Sequence, residues 1–196
     1  LWKLLMTTMF DPRPRRLTPG HGLQRAGGEL TLDPIMLRGH ISGLTLSNGT
    51  DATNDIDIAA GVACAADQSA MIYLPASLTK QLDVAWAAGV TGTPSGGLDT
   101  GAIANAVYHI FLIRRPDTGR VDALYSTSAT SPTMPTGYTQ KRRIGAVIRS
   151  GATILGFSQT GDTFILNAPI RETGADISVS TARSTITLSG VPTGVV

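Results

Sequence analysis

The sequence predicts an all-β protein: an antiparallel β-sandwich, jelly-roll-like, over residues 38–196, preceded by an extended N-terminal arm over residues 1–37. Three observations predict it. After position 37, short runs rich in β-branched and aromatic residues recur roughly every ten residues, each bounded by Gly, Ser, Thr, Asn or Asp. Before it, "DPRPRRLTPGHGLQRAGGELTLDP" mixes Pro, Gly and Arg with no period of 2 or 3.6. No segment carries the apolar stripe of an amphipathic helix longer than about three turns.

Taken in order, the arm carries Arg13, Arg15 and Arg16 among Pro12, Pro14 and Pro19, a composition that orders only against a partner. The runs "HISGLTLS", "NDIDIAAG" and "AMIYLPAS" read as the first strands. The clearest unit is "AVYHIFLIRRPDTGRVDALYSTS". Residues 106–114 are apolar on both faces, as a central strand requires, and Val121, Ala123 and Tyr125 alternate with Asp122 and Leu124. Between them Pro116 presets a turn, Asp117 bonds the backbone two residues on, and Gly119 takes the left-handed position.

A second set, "RRIGAVIRSGATILGFSQTGDTFIL", places Ile144, Ala146 and Ile148 on one face. It turns at Ser150-Gly151, returns over residues 153–159, and turns again at Thr160-Gly161-Asp162 into residues 163–166. A last strand is expected in "STITLSG". The chain opens on Leu1, as a processed product, a fragment or a frame begun early would, and its domain is expected to be incomplete at the C-terminus.

Composition limits the function. The chain has 196 residues, 16 Lys and Arg against 14 Asp and Glu, and a formal net charge of +2, too little to point to nucleic acid. The basic run Lys141, Arg142, Arg143 reads as a solvated face. Cys64 is the lone cysteine, so no intrachain disulfide forms, and among small residues it reads as a buried thiol. No run of about 18 apolar residues is present to span a membrane.

Several short motifs resemble catalytic ones. "DTGA" at Asp99 and "DTG" at Asp117 spell the active-site tripeptide of aspartic proteases. Such a site needs a strand that delivers each aspartate to a rigid loop and a second carboxylate about 3 Å away. Asp99 follows "GVTGTPSGG", which reads as a glycine-rich loop, and is expected to accept hydrogen bonds from the backbone of Gly101 and Ala102.

"SLTK", residues 77–80, matches the Ser-x-x-Lys of penicillin-binding enzymes without their companion motifs. Asp51, Asp55 and Asp57 begin like a calcium loop, but Ile56 and Val62 stand where Gly and Glu are needed, so Asp55 and Asp57 read as the polar face of a strand. His21, His40 and His109 match no zinc spacing, and His109 reads as a hydrogen-bonded core histidine. No catalytic, cofactor-binding or metal residue is therefore assigned.

The strings "ISGLTLSNGTDATNDIDIAAG", "LTKQLDVAWAAG", "GGLDTGAIANAVYHIFLIRRPDTGRVDALYSTSATSPTMPTGYTQKRRIGAVIRSG" and "FSQTGDTF" resemble a family of tailed-bacteriophage virion proteins, the tail-fibre and tail structural proteins. The resemblance covers about residue 38 to the end. It implies a β-rich, non-enzymatic structural protein located in the virion, homo-oligomeric, with a trimer favoured as in fibres. The expected partners are other virion proteins, reached through the arm. The alternative is a carbohydrate-binding module for host attachment, contacting a host-surface glycan. For that role the aromatics Trp86, Tyr73, Tyr108, Phe111, Tyr125 and Tyr138 read mostly as core. A dimeric aspartic protease is the remote third reading.

Overall fold

The structure, a computed structural model, describes residues 23–26, 29–32, 37–89 and 92–170. Those residues form an all-β fold of fifteen strands, with no α-helix among them. Within the segment read as an unpaired arm, β1 (Leu23–Ala26) and β2 (Glu29–Leu32) pair as an antiparallel hairpin. The arginines at 13, 15 and 16 and the expected strand in "STITLSG" lie outside the described residues.

Two bent antiparallel ribbons build the first half of the domain. The run read as one strand at residues 40–47 divides into β3 (Ile41–Gly43) and β4 (Leu46–Asn48). Its partner divides into β5 (Asp55–Ile58) and β6 (Gly61–Cys64). Across the bend Leu44 N–H donates to the Ala60 carbonyl at 3.2 Å and Ala59 N–H to the Thr45 carbonyl at 2.9 Å, so the ladder continues around a corner. Gly43, at φ +69, makes the corner: a Cβ there would collide with the Ala60 carbonyl oxygen. Leu44 also sits at positive φ, +56, and is 1% exposed. Its burial offsets the cost of that conformation.

A third pair follows the same bend. β7 (Met71–Leu74) pairs with β6, and β8 (Leu78–Ala85) pairs with β5. The strands therefore leave one sheet and enter another at a corner, as in orthogonally packed sandwiches. The smaller sheet has the order β3-β6-β7.

The larger sheet adds β9 (Ser95–Leu98), β10 (Val107–Arg114), β11 (Val121–Ser126), β12 (Gln140–Ser150) and β13 (Thr153–Ile154). Its order is β13-β12-β10-β11-β9-β8-β5-β4. The sheet is mixed, not wholly antiparallel, because β9 runs parallel to both β8 and β11. Its ends approach each other: Ile154 N–H on β13 donates to the Thr53 carbonyl at 2.9 Å, beside β4 and β5. The sheet is thus curled almost into a barrel. The hairpin of β14 (Phe157–Thr160) and β15 (Thr163–Leu166) lies against β4, where Gln159 Oε1 accepts Leu46 N–H at 2.7 Å.

Both faces of β10 are buried, and the sequence explains each. Tyr108, Ile110 and Leu112 join Ile72, Leu74, Leu82 and Tyr125 in the core between the sheets. Phe111 and Ile113 point the other way with Leu124, under Tyr138, Met134 and Trp86. A second sheet covers the first face, and the chain's own loop after β11 covers the second. Trp86 is fixed there by its indole N–H, which donates to the Ala123 carbonyl at 3.0 Å, and by an edge-on contact with Tyr138 at 5.4 Å.

One sequence expectation here needs correction. On β12 the buried residues are Ile144 and Val147, an odd spacing, and not Ile144, Ala146 and Ile148. The cause is a bulge: Ile110 pairs with Gly145 and Phe111 with Arg143, which leaves Ile144 without an opposite residue. On β11 both alternating sets are buried, Asp122 included at 0% exposed.

Candidate functional site

The two aspartates that spell a protease lie far apart. Asp99 follows β9, and its N–H donates to the Tyr125 carbonyl at 3.0 Å, near the end of β11. Asp117 lies in the turn that precedes the start of β11. The strand between them is about 17 Å long, at ~3.4 Å per residue step. A shared proton needs about 3 Å.

Each carboxylate has a local task. Asp117 accepts both guanidinium bonds of Arg115, at 3.1 and 2.7 Å, and Thr118 N–H at 2.9 Å; the Arg115 bond holds its carboxyl below the usual range. Asp99 accepts Thr100 N–H and Thr133 N–H, each at 2.8 Å, so its donors are not the backbone of Gly101 and Ala102. It clamps the loop after β9 to the loop after β11. The segment before Asp99 is also no loop: Ser95–Leu98 is a buried strand.

The Ser77 and Lys80 pair fails for a geometric reason. Three residues apart on a helix would share a face, but residues three apart in extended chain point to opposite sides. Ser77 is exposed, whereas Lys80 is 1% exposed and buried.

Lys80 has a partner that composition and periodicity do not suggest. Its ammonium lies 3.0 Å from Asp122 Oδ1, with both side chains 1% exposed. It also donates to the Ala87 carbonyl at 2.8 Å and to Ser95 Oγ at 3.0 Å, which uses all three protons of an ammonium. The Trp86 ring stands 5.4 Å away. Asp122 accepts Gly89 N–H and Ala123 N–H, each at 2.7 Å. Burial lowers the Lys80 pKa, and the Asp122 charge partly restores it. With every donor and acceptor engaged, the pair is a structural pin that holds residues 86–89 onto the sheet.

Asp55 is 4% exposed with Oδ1 lacking a hydrogen-bond partner among the described residues. Burial, then Asp51 and Asp83, raise its pKa. The expectation of a polar strand face holds better for Asp57, which accepts the Thr79 hydroxyl. Among the described residues no group of three or more His, Cys, Asp or Glu is placed to hold a metal ion.

His21 lies outside the described residues, and His40 is exposed. His109 is 1% exposed, a core histidine as expected, and its Nδ1 has no hydrogen-bond partner among the described residues. Burial first, and Arg143 second, lower its pKa and favour neutral imidazole. Cys64 is a buried thiol, as expected. Of the aromatics, Tyr73 is 61% exposed, whereas Tyr108 and Tyr125 are each 1% exposed.

A broad concave surface follows the basic run. A cleft of about 760 Å³ opens between Gly39–Gly43, which includes β3, the β12 segment from Arg142 to Ala146, and the β14–β15 hairpin. Ile41, Ile144 and Phe164 contribute its apolar surface; His40, Arg142, Arg143 and Asp162 contribute its charged or titratable groups. A Cβ on Gly145 would stand 2.6 Å from Leu46 Cδ1 and 2.9 Å from Phe164 Cζ, so glycine there preserves both the ring position and the opening. A smaller cleft of about 360 Å³, lined by Phe111, Ala129, Thr130 and Lys141, shares Arg142 and Arg143 with the first.

Arg142 donates to the Gly39 carbonyl at 3.1 Å, and its Nε lacks a partner among the described residues. The run read as a solvated face is thus half-buried between two clefts. Comparison with protein-family models, with curated proteins and with solved structures gave no match.

Proposed function

We propose that this chain is a non-enzymatic structural protein of a tailed-bacteriophage particle, fibre- or tail-appendage-like, that works by assembly and surface contact. One observation carries the reading: Asp99, Asp117 and Lys80, which sequence offered for catalysis, each serve the fold at a separate place. Asp99 clamps two loops, Asp117 holds Arg115, and Lys80 is locked to Asp122. The resemblance to tail-fibre and tail structural proteins supplies the particle. An all-β scaffold with long surface loops suits it.

In this reading residues 1–37 dock on another virion protein and the domain assembles as a homo-oligomer, a trimer by the same resemblance. Tyr73, 61% exposed on β7 at the edge of the smaller sheet, and Ile165, 60% exposed on β15, are apolar contacts available to such neighbours. The test is to supply particles with the full chain or with a chain beginning at residue 37. The full chain is expected to be incorporated and the shorter one to fold and stay free. Equal incorporation removes the docking role, and cleavage of peptides at acid pH, abolished by Asp99→Asn, would restore the protease reading.

The second reading, a carbohydrate-binding module for host attachment, is favoured by one observation, the 760 Å³ cleft with its mixed aromatic and basic lining.

A further inference from the structure

We propose that the cleft between β3, β12 and the β14–β15 hairpin is a binding site for an anionic saccharide, with the sugar's carboxylate or phosphate held at Arg142. This rests on the reading of the chain as a protein that works by surface contact, and it adds the site and the ligand class.

Size is the first support. At about 760 Å³ the cleft falls within the roughly 300–1,000 Å³ of small-molecule sites.

Charge is the second. Arg142 and Arg143 enter the lining beside His40, and Lys141 adjoins them on the same strand, against the single carboxylate of Asp162. No carboxylate pairs with Arg142 among the described residues; its guanidinium donates instead to a neutral backbone carbonyl, that of Gly39. A guanidinium in the cleft lining whose charge no carboxylate cancels suits an anionic group on the ligand.

The third support is the apolar surface. A sugar ring presents C–H groups on its faces and hydroxyls at its rim. Phe164, Ile41 and Ile144 supply a surface for the former, and Asp162, Thr45 and His40 supply partners for the latter. Gln159 is already committed, to Leu46 N–H and to the Gly161 carbonyl, and serves to fix the hairpin wall.

Isothermal titration of the full chain with digalacturonate, glucose 6-phosphate, maltose, inorganic phosphate and an oligo-dT strand tests the proposal. Digalacturonate or glucose 6-phosphate is expected to bind, and whichever does so identifies carboxylate or phosphate as the anion. Maltose and inorganic phosphate should bind at least about tenfold more weakly, because each offers half of the recognition. Arg142→Gln and Phe164→Ala should each weaken binding about tenfold with the circular dichroism spectrum unchanged. If Arg142→Gln unfolds the chain, His40→Ala on the exposed rim replaces it, with a smaller loss of about threefold.

Three results overturn the site: no binding of either anionic sugar, equal binding of maltose or oligo-dT, or unchanged affinity in the folded variants. Particle incorporation without sugar binding would sink this site and leave the structural function standing; sugar binding by a chain absent from particles would do the reverse.

Discussion

The Lys80 ammonium and the Asp122 carboxylate meet at 3.0 Å in the interior, each side chain 1% exposed. Removing one partner of a buried pair leaves an uncompensated charge, which costs about 3–5 kcal/mol. Asp122→Ala is expected to lose that much in urea denaturation, aggravated by the loss of acceptors for Gly89 and Ala123 N–H. The double replacement Lys80→Met with Asp122→Leu should cost less than Asp122→Ala alone. Additive losses would show that the two side chains do not act as a pair.

Tyr125 sets an alkaline limit on stability. Its phenol is 1% exposed and donates to the Lys80 carbonyl at 2.8 Å. Burial, and then the nearby Asp55 charge, raise its pKa well above the ordinary value. The folded state therefore keeps the proton longer than the unfolded chain does. The stability this group contributes is complete below about pH 10 and is lost as pH rises from there through the raised value. Part of the absorbance rise at 295 nm should coincide with unfolding and be missing from Tyr125→Phe. Tyr125→Phe should cost about 1 kcal/mol at pH 7 and flatten the decline above pH 10; an undiminished decline contradicts the assignment.

Much of the fold is legible in the sequence because β10 and β11 are long, apolar and joined by turn chemistry at Pro116 and Gly119, which takes φ +71 as expected. The hairpin at Gly161, φ +58, is legible for the same reason. What stays hidden has physical causes. In β8 the inward residues are Leu78, Lys80 and Leu82, and the lysine interrupts the apolar alternation that marks a strand. Its partner is 42 residues away in sequence, from 80 to 122, so neither residue signals the other.

The β9 strand "SGGL" reads as loop in the sequence because glycine is disfavoured in strands. Here it is required: a Cβ on Gly97 would stand 2.6 Å from the Tyr125 ring. The bulge at Ile144 shifts the period of β12, and the cleft joins three segments distant in the chain, which no local pattern records.

Asp99 is expected to act on loops and not on peptides. Replacing it with Ala removes the acceptor for the exposed Thr133 N–H, a loss of about 0.5–1.5 kcal/mol. Hydrogen exchange at Thr133 should speed up, and limited proteolysis should cut within residues 127–137. Protection equal to wild type at both places would show that the clamp contributes nothing.

Gly43 and Gly151 both have positive φ, +69 and +60, but only Gly43 is crowded, by the Ala60 carbonyl. A Cβ added to Gly151 would meet nothing within 4 Å. Alanine at residue 151 should cost about 1 kcal/mol for the left-handed backbone, and alanine at residue 43 about 3 kcal/mol or more because the corner must open. Equal midpoints in urea for the two variants would contradict the corner.

The most direct measurement is an electron-microscopy map of the intact particle to which the proposal assigns this chain. A structural protein of the tail or fibre predicts density there for the curled eight-stranded sheet in several symmetry-related copies, with residues 1–37 running into a neighbouring protein. Absence of the chain from purified particles that are complete and infectious would contradict it.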